Sequence, residues 1–471
     1  MSGSGAANLS TPTELSSGTG EPMRGRPLRA AAVLCVPALV SACATYRADP
    51  LPKDAPPTPP AATLVERAGR LSHPYLTPVA IDLGQPLSPQ ELGVLAVVAS
   101  PALKAARARA GVSEAQVFEA GLLPDPQLSL GFDRPLSAPG AVNAIAAALG
   151  FDVSALYRLG PARDAARAQA RQARLDVAWQ EWQTAFQARL LAARIAGLSR
   201  AVRLSQGSRA VAEQVLDRTL RAVARGDLNS NDLEARRIAA ADAADRARAA
   251  ERDLSAARLE LNKLLGLPPA TELDIVLPAY VDRPSPAHDE LFALAREARL
   301  DLQALRAGYA AQEAGLRGAV LAQYPKLNLT VNAARDTGNV RTLGPAVTFD
   351  LPVFNRNQGA IAVARATRAQ LKAEYDLRLF ETRADLAALV KAYEIGRRQR
   401  ADLVGQLGPL RGLVAGFERA AARGDVADVV ADTARQSLTD KEIALAALDQ
   451  SLAEQWSSIE LATGRLLGSR P

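Results

Sequence analysis

The stretch Ala224-Arg225-Gly226-Asp227 recurs as Ala422-Arg423-Gly424-Asp425, 198 residues further along the chain. Other short matches recur in the same order at nearly the same spacing. The longest of them, Pro126-Gln127-Leu128-Ser129-Leu130, returns as Pro325-Lys326-Leu327-Asn328-Leu329. Ordered matches at such a long and nearly constant separation predict a duplicated half-protein and not a solenoid of short repeats. We therefore place a first repeat at 85–270, a linker at 271–287 and a second repeat at 288–471.

Each Arg-Gly-Asp follows a long segment with helical hydrophobic spacing. Glycine followed by Asp, Asn or Ser is typical of one helix ending and the next beginning. In the first half we expect an outgoing helix over 160–224 and a returning helix over 228–265, about 97 Å and about 57 Å long. The second half predicts the same hairpin, although Pro409 and several glycines weaken its incoming helix. Leu264-Leu265-Gly266 is matched with Leu466-Leu467-Gly468 at the ends of the returning helices.

Two stretches with period-two alternation precede each hairpin, after Ala-rich helical segments over 91–122 and 290–323. Pro101 lies inside the first of these helical segments and can bend it. Alternation with one apolar side predicts strands, with loops over about 134–146 and 334–344. The alternating apolar residues are Leu128, Leu130, Phe132, Phe151, Val153 and Ala155 in the first half, and Leu327, Leu329, Val331, Val347, Phe349, Leu351 and Val353 in the second.

Four strands per chain are too few to close a barrel, for which about eight is the usual minimum. Beyond the N-terminal region, the sequence has no apolar run long enough for a transmembrane helix, so a membrane crossing would have to use strands. Strand edges do not stay unpaired in lipid. We therefore expect copies of the chain to share their strands, eight from two copies or twelve from three. The predicted fold class is mainly α with a small β part, in which long antiparallel helical hairpins enclose a hollow cylinder.

The N-terminus has the layout of a bacterial export signal. Met23 is followed by three arginines and by an apolar run over 30–39 that is too short to span a bilayer permanently. The run ends Val40-Ser41-Ala42-Cys43 and resembles a lipobox, so we expect removal of 1–42 and lipidation of Cys43. The resemblance to bacterial lipoproteins implies delivery to the outer membrane, because the residue after the Cys is Ala44 and not the Asp that would favour the inner membrane. Residues 43–84 would then form a lipidated N-terminus and a Pro-rich tether; the alternative is an ordinary signal peptide with an incidental Cys.

The composition excludes several classes of function. The net charge of +6 is small and dispersed, which argues against a nucleic-acid partner. Two His, two Cys and two Met leave little for a metal site or a disulfide framework. Because the sequence also lacks a phosphate-binding glycine loop and a His-x-x-x-His pair, we predict neither an enzyme nor a cofactor, apart from the lipid on Cys43. His73 and His288 lie near prolines in connecting segments and are predicted to be surface residues.

Three further motifs carry a resemblance to a known family. Ala99-Ser100-Pro101-Ala102-Leu103 and Leu122-Leu123-Pro124-Asp125-Pro126 resemble the Asn-Pro-x-Leu and Leu-Pro-x-Pro signatures of the TolC-type outer-membrane factors, with Ser100 in place of the usual Asn. Pro352-Val353-Phe354-Asn355-Arg356-Asn357-Gln358-Gly359 resembles the heavy-metal cation efflux subgroup of lipoprotein type. These factors are the exit ducts of efflux and type I secretion systems, and the resemblance covers about residue 85 to the C-terminus.

The resemblance implies a homotrimer with a trimeric periplasmic α-barrel and a 12-stranded transmembrane β-barrel, four strands per chain. It implies outer-membrane lipid, a periplasmic membrane-fusion adaptor and an inner-membrane RND pump as partners. The expected function is passive conduction of substrate, heavy-metal cations in this subgroup, from periplasm to exterior. An exit duct for drugs or type I secreted proteins is the nearest alternative. A periplasmic coiled-coil lipoprotein without a pore is an alternative of another class, but it leaves the alternating stretches unexplained.

The resemblance also implies that the two hairpin turns close the periplasmic entrance and meet the adaptor. Candidate adaptor contacts are Arg225, Gly226, Asp227, Arg423, Gly424 and Asp425. Glycine lets the chain reverse tightly, and an arginine fork can hold a carboxylate or carbonyl of a partner. The alternative is that each tripeptide is only a soluble, capped turn.

Asp425, Asp428 and Asp432 are spaced by about one turn on the predicted last helix. In a trimer each would form a ring of three carboxylates, and such rings select cations. They are our candidate entrance gate. The alternative is a solvated face that complements the helix dipole.

Overall fold

The structure is a computed structural model that describes residues 46–54, 59–137, 139–276 and 280–467. Cys43 and the expected signal segment therefore lie outside the described residues. The chain divides into two compact units, Met1–Pro57 and Thr58–Pro471. In the first unit, the described residues 46–54 contain no helix or strand.

The second unit is mainly helical and contains one small sheet, as predicted. None of the helices in the described ranges combines the length and hydrophobicity that a membrane-crossing helix needs. In chain order the elements are α1 (Ala61–Gly69), α2 (Pro89–Ala99), α3 (Pro101–Glu119), β1 (Gln127–Asp133), β2 (Ala144–Asp152), α4 (Ser154–Ala224), α5 (Ser230–Leu265), α6 (His288–Ala298), α7 (Leu300–Leu321), β3 (Leu327–Arg335), β4 (Arg341–Phe349), α8 (Gln358–Ala422) and α9 (Asp428–Thr463).

The sheet is antiparallel with strand order β1-β2-β3-β4, so each half of the chain contributes one ribbon. Two predicted strand positions were wrong. β2 and β4 begin inside the segments predicted as loops, and Val153, Ala155, Leu351 and Val353 lie beyond the strand ends. The start of β2 contains Ala146, Ala147 and Ala148, which give no alternation signal. Its conformation is instead fixed by pairing with β1 and β3.

Both predicted hairpins are present. The first outgoing helix is longer than predicted, and the second is continuous although Pro409 and several glycines were expected to weaken it. α4 has 71 residues and begins before Pro161, which lies buried in its second turn or just beyond. As the eighth residue of α4, Pro161 removes the backbone hydrogen bond that an N–H at this position would donate to the carbonyl of Tyr157, and the helix continues through it. α8 has 65 residues and passes through Pro409 without ending. Both returning helices, α5 and α9, have 36 residues.

Each upstream helix is broken once, which the sequence predicted only as a bend at Pro101. The breaks fall at Ser100, between α2 and α3, and at Arg299, between α6 and α7. These residues are equivalent in the two repeats, and their backbone angles are nearly the same, with ψ of 122° and 120°. An equivalent arginine bridges each break: Arg107 donates to the carbonyl of Val97 at 2.8 Å, and Arg306 to that of Arg296 at 2.9 Å.

The ends of the returning helices correct one repeat match. Both α5 and α9 end on a left-handed glycine, Gly266 and Gly464, so Gly464 and not Gly468 is the counterpart of Gly266. Each of these glycines lies against a break. A Cβ on Gly266 would be 2.7 Å from Pro101, and one on Gly464 would be 3.1 Å from Arg299. The short helices of each half therefore meet end to end beside the long helix.

The core consists of two main clusters, one in each half. α9 packs against α8 and also against α4 of the other half, whereas α5 packs along α4. The cluster of the first half includes Leu92, Ala188, Ala192, Ile195 and Leu261. Equivalent positions build the cluster of the second half: Leu291, Leu386, Val390, Tyr393 and Ile459.

Candidate functional sites at the hairpin turns and the sheet

The two hairpin turns have the same geometry. The N–H of Asp227 donates to the carbonyl of Ala222, and that of Asp425 to the carbonyl of Ala420, both at 2.9 Å. This bond across six residues requires a left-handed residue between the helices. Gly226 and Gly424 supply it, with φ of 82° and 79°.

In both turns the arginine pairs with the aspartate two residues later. Nε of Arg225 donates to Oδ2 of Asp227 at 2.8 Å, and Arg423 and Asp425 repeat the contact at 2.8 Å. All four side chains are more than half exposed. The turn is therefore a capped structure that keeps its charged groups at the surface, where a partner can reach them.

The three aspartates of the candidate gate do not form one helical row. Asp425 belongs to the turn, and α9 begins only at Asp428. Asp432 lies one turn further along α9, where Arg236 of α5 reaches it at 3.0 Å and Arg435 at 2.9 Å. The prediction that all three lie on the returning helix was wrong, because the glycine turn extends through Asp425 before the helix starts.

Asp432 is the centre of a charge network that joins the two hairpins. Arg435 also pairs with Glu418 of α8 at 2.7 Å, so the network includes α5, α8 and α9. Side chains of Arg236 and Asp432 are only 15% and 20% exposed. A groove of about 580 Å³ between α4, α5 and α9 is lined by Asp432, Arg236 and Arg435 among others. The sequence did not indicate Arg236, because its partner lies in the other repeat.

His73 is half-buried, so the prediction that it is a surface residue was wrong. Its ring stacks on Trp182 of α4 with a centroid distance of 6.2 Å. Nε2 donates to the carbonyl of Ala178 at 2.9 Å, while Nδ1 accepts from the N–H groups of Tyr75 and Leu76. Burial lowers the pKa of His73, although the Ala178 carbonyl and Glu181 oppose the shift. The neutral ring thus fastens the segment before α2 to α4.

The linker between the repeats is held by arginines of α8. Arg397 binds Asp282 at 2.8 Å, and Arg400 stacks on Tyr280 with 3.8 Å between guanidinium and ring centroid. Burial is the main cause, and the hydrogen bond to Asp282 the second, that raises the pKa of Tyr280 to about 12.

Within the described ranges, no group of three or more His, Cys, Asp or Glu could hold a metal ion.

One face of the sheet is apolar and the other is small or polar. The register aligns the apolar residues in rows across the strands, for example Leu130, Ala147, Ala333 and Leu343. Many of these side chains are exposed; Leu130 and Leu343 are 75% and 78% exposed. The other face carries residues such as Ser129, Gly150, Asn332 and Thr348. Exposed Tyr324 and Phe354 lie just beyond the end of the sheet that joins the helices.

The fold is that of solved outer-membrane channels. The structure of the Campylobacter jejuni CmeC outer membrane channel aligns with 90% of this chain and 95% of its own, at TM-score 0.68 and 13% identity. The open state of the Neisseria gonorrhoeae MtrE outer membrane channel aligns with 80% of this chain and 89% of its own, at TM-score 0.65 and 17% identity. CusC, studied for folding and transmembrane channel formation, covers 80% and 92% at TM-score 0.66 and 17% identity. No protein-family profile and no curated protein sequence matches the chain.

Proposed function

We propose that the chain is the outer-membrane exit duct of a tripartite RND-type efflux system, a homotrimer that conducts substrate passively from periplasm to exterior. The observation that carries this proposal is the sheet. Its apolar face is exposed, and among the described residues β1 and β4 each pair with one strand only. Such edges suit lipid only if they pair with further strands. Three copies supply twelve strands, enough for a closed transmembrane β-barrel.

The duplication indicates how the helices of neighbouring copies would pack. Within the chain, α9 lies between α8 and α4. α5 is the counterpart of α9, and α8 is the counterpart of α4. A ring of copies would therefore repeat the α9–α4 contact as a contact between α5 of one copy and α8 of the next. This would cover apolar side chains that are now exposed, such as Ile238 of α5, at 63%, and Leu413 of α8, at 53%.

Cysteine cross-linking tests this arrangement. Ser208 of α4 donates to Gln436 of α9 at 3.0 Å inside the chain, and the equivalent positions are Gln406 of α8 and Ile238 of α5. The mature chain would keep no other Cys than Cys43. Ile238→Cys with Gln406→Cys should therefore give a ladder up to trimers under oxidation. The control pair Ser208→Cys with Gln436→Cys should cross-link within monomers; a ladder only from the control pair would contradict the proposed ring.

Conduction is tested by reconstituting the purified full-length chain in planar bilayers. A duct gives discrete conductance steps, whereas a structural coiled-coil lipoprotein gives none. The fold-level similarity to solved outer membrane channels supports the first outcome. A monomeric, non-conducting particle would overturn the proposal.

The hairpin turns are the proposed contacts for the periplasmic adaptor. Their support is the matched geometry of two exposed Arg-Gly-Asp turns. Arg225→Ala with Arg423→Ala removes both guanidinium groups, and we expect weaker adaptor binding in a pull-down with unchanged trimer yield. Unchanged binding would leave the tripeptides as capped turns only.

The proposed entrance gate involves Asp425, Asp428 and Asp432, with unequal roles. Asp428 is the exposed carboxylate of the first turn of α9, and no ion pair involves it among the described residues. It can therefore interact directly with cations. Asp432, being paired with Arg236 and Arg435, acts by holding the hairpins together. Asp428→Asn should reduce cation block of the reconstituted channel, and Asp432→Asn should raise the fraction of open channels; no change in either would contradict the gate.

We infer heavy-metal cations as the substrate, supported by the resemblance of residues 352–359 to the heavy-metal cation efflux subgroup. Substrate choice would lie in the pump. A deletion strain should become sensitive to zinc, cobalt, cadmium or copper; sensitivity to drugs alone would favour the drug-duct alternative.

The proposed lipid anchor is tested by Cys43→Ala, which should remove the acyl mass from the mature N-terminus without altering the channel.

A further inference from the structure

The apolar face of the sheet ends in two adjacent arginines. The register places Phe132, Ile145, Arg335 and Arg341 in one row across the four strands. Arg335 and Arg341 are directly opposite each other, so their Cβ atoms are about 5 Å apart. Like charges at this spacing destabilise a sheet. A ligand of opposite charge would remove the repulsion.

The described part of the chain supplies no carboxylate to either arginine. Arg335 donates from Nη2 to the carbonyl of Asn143 at 3.1 Å, and its Nε is buried without a hydrogen-bond partner. The neighbouring Asp336 accepts from the N–H groups of Gly338 and Val340, both at 2.9 Å. Asp133, at the same end of β1, alternates onto the opposite face.

The arginine row lies at the height where a bilayer changes from hydrocarbon to headgroup. β3 has nine residues from Leu327 to Arg335, about the number that a tilted strand needs to cross the hydrocarbon core of a bilayer. Tyr324 and Phe354 lie at the opposite end, where aromatic residues commonly mark the other interface.

We propose that Arg335 and Arg341 bind the phosphate groups of lipid headgroups in the outer leaflet. This inference rests on the proposed function, since it requires the apolar face to meet lipid and the helices to lie on the periplasmic side. Guanidinium forks bind phosphate in a bidentate manner, and arginine stems pack on apolar surface while the charged ends reach the interface. A lipid fits better than a free anion because the row continues directly into the apolar face, where acyl chains would cover Ala333 and Leu343.

The test compares lipid binding by the purified full-length chain in detergent, measured by native mass spectrometry. The probes are lipid A carrying its phosphates, the same lipid without phosphates, and inorganic phosphate. We expect the wild type to prefer the phosphorylated lipid by about 30-fold, because each arginine near a surface contributes about a factor of five. Arg335→Gln with Arg341→Gln should lose this preference. The matched control, Arg365→Gln with Lys372→Gln on α8, removes the same charge from exposed positions and should retain it.

Equal preference in the wild type and the sheet double variant would overturn the inference. Complete competition by millimolar inorganic phosphate would also overturn it, because the site would then be a general anion site. Conductance of the same samples shows whether a negative result refutes only the lipid site or also the proposed duct function. Conducting trimers without a lipid preference refute only the lipid site, whereas a chain that never conducts refutes the duct itself.

Discussion

The two halves of the chain build equivalent cores with side chains of different size. In the second half Leu386, Val390 and Tyr393 fill the cluster, whereas the first half has Ala188, Ala192 and Ile195 at the equivalent positions. The first cluster also includes residues from the segment before the repeat: Leu64, Ala68 and Ile81. Smaller residues on α4 therefore accompany an N-terminal segment that packs into the same cluster.

The breaks in the upstream helices show the same contrast. In the first half the break lies directly before Pro101, whose ring disfavours a helical conformation of Ser100. In the second half Arg299 occupies the break and forms two bonds with Asp301, at 3.0 and 2.6 Å, and one with the carbonyl of Ala462. The backbone geometry of the break is the same in both halves. A proline restricts it in the first half, whereas a buried ion pair stabilises it in the second.

The largest expected effect is the loss of that ion pair. The side chains of Arg299 and Asp301 are only 8% and 11% exposed, so Asp301→Ala leaves a buried charge without its partner. We expect a loss of about 3 kcal/mol in the free energy of unfolding, measured with denaturant. Arg378, 3.8 Å from Asp301 and half-exposed, provides the control. Arg378→Ala should cost below about 1 kcal/mol, and equal losses would show that the break does not depend on the buried pair.

A second comparison separates packing at the break from backbone strain. Gly226 and Gly266 are both left-handed, but a Cβ on Gly226 meets nothing within 4 Å, whereas one on Gly266 would clash with Pro101. Gly226→Ala should cost about 1 kcal/mol from the backbone alone. Gly266→Ala should cost at least about 1 kcal/mol more, because the clash must be relieved. If thermal unfolding shows the same loss for both variants, the end-to-end contact of α5 with the break is not tight.

A smaller effect distinguishes contacts within the chain from those between copies. Arg200 of α4 lies 3.5 Å from Asp449 of α9, and the equivalent positions are Arg398 of α8 and Glu251 of α5. Each pair should contribute below about 1 kcal/mol. Arg398→Glu should lower trimer stability in a concentration-dependent manner, while Arg200→Glu should act independently of concentration. Failure of Glu251→Arg to restore the trimer of Arg398→Glu would argue against the α5–α8 contact.

The smallest expected effect is a pH dependence of stability that comes from His73. Because burial lowers the pKa of His73, the folded chain keeps this ring neutral at pH values where the unfolded chain has begun to bind a proton. Stability from this contact is present above about pH 6.5, the ordinary His value, and decreases as pH falls toward the lower folded pKa. Thermal unfolding between pH 5 and 8 should show a shallower slope for His73→Gln than for the wild type. His288→Gln serves as the control for replacing a histidine at an exposed position.

Periodicity and turn chemistry predicted the hairpins and ribbons because these features are local. Glycine turns and alternating residues report directly on backbone conformation. The break at Arg299 was not predictable in this way, since no proline marks it and Arg306 holds it through a carbonyl ten residues earlier. The alanines of β2 likewise became a strand only through pairing with strands on both sides.

The positions of the candidate site residues could be predicted from the sequence, but the residues that they contact could not. The turn residues lie where the repeat predicted them, and their mutual ion pairs follow from sequence proximity. Asp432 differs because its partner Arg236 belongs to another hairpin, and no local pattern indicates such a contact. The same reason explains His73, whose environment is formed by a helix more than a hundred residues away.

The equal length of α5 and α9 has an evolutionary consequence. With 36 residues each and a fixed rise of 1.5 Å per residue, both helices extend about 54 Å from break to turn. Inserting one heptad into a single hairpin would push that end outward by about 10 Å and leave the pair uneven. Insertions and deletions in these helices should therefore be tolerated only when both hairpins change together, so that homologues differ in hairpin length by matched steps.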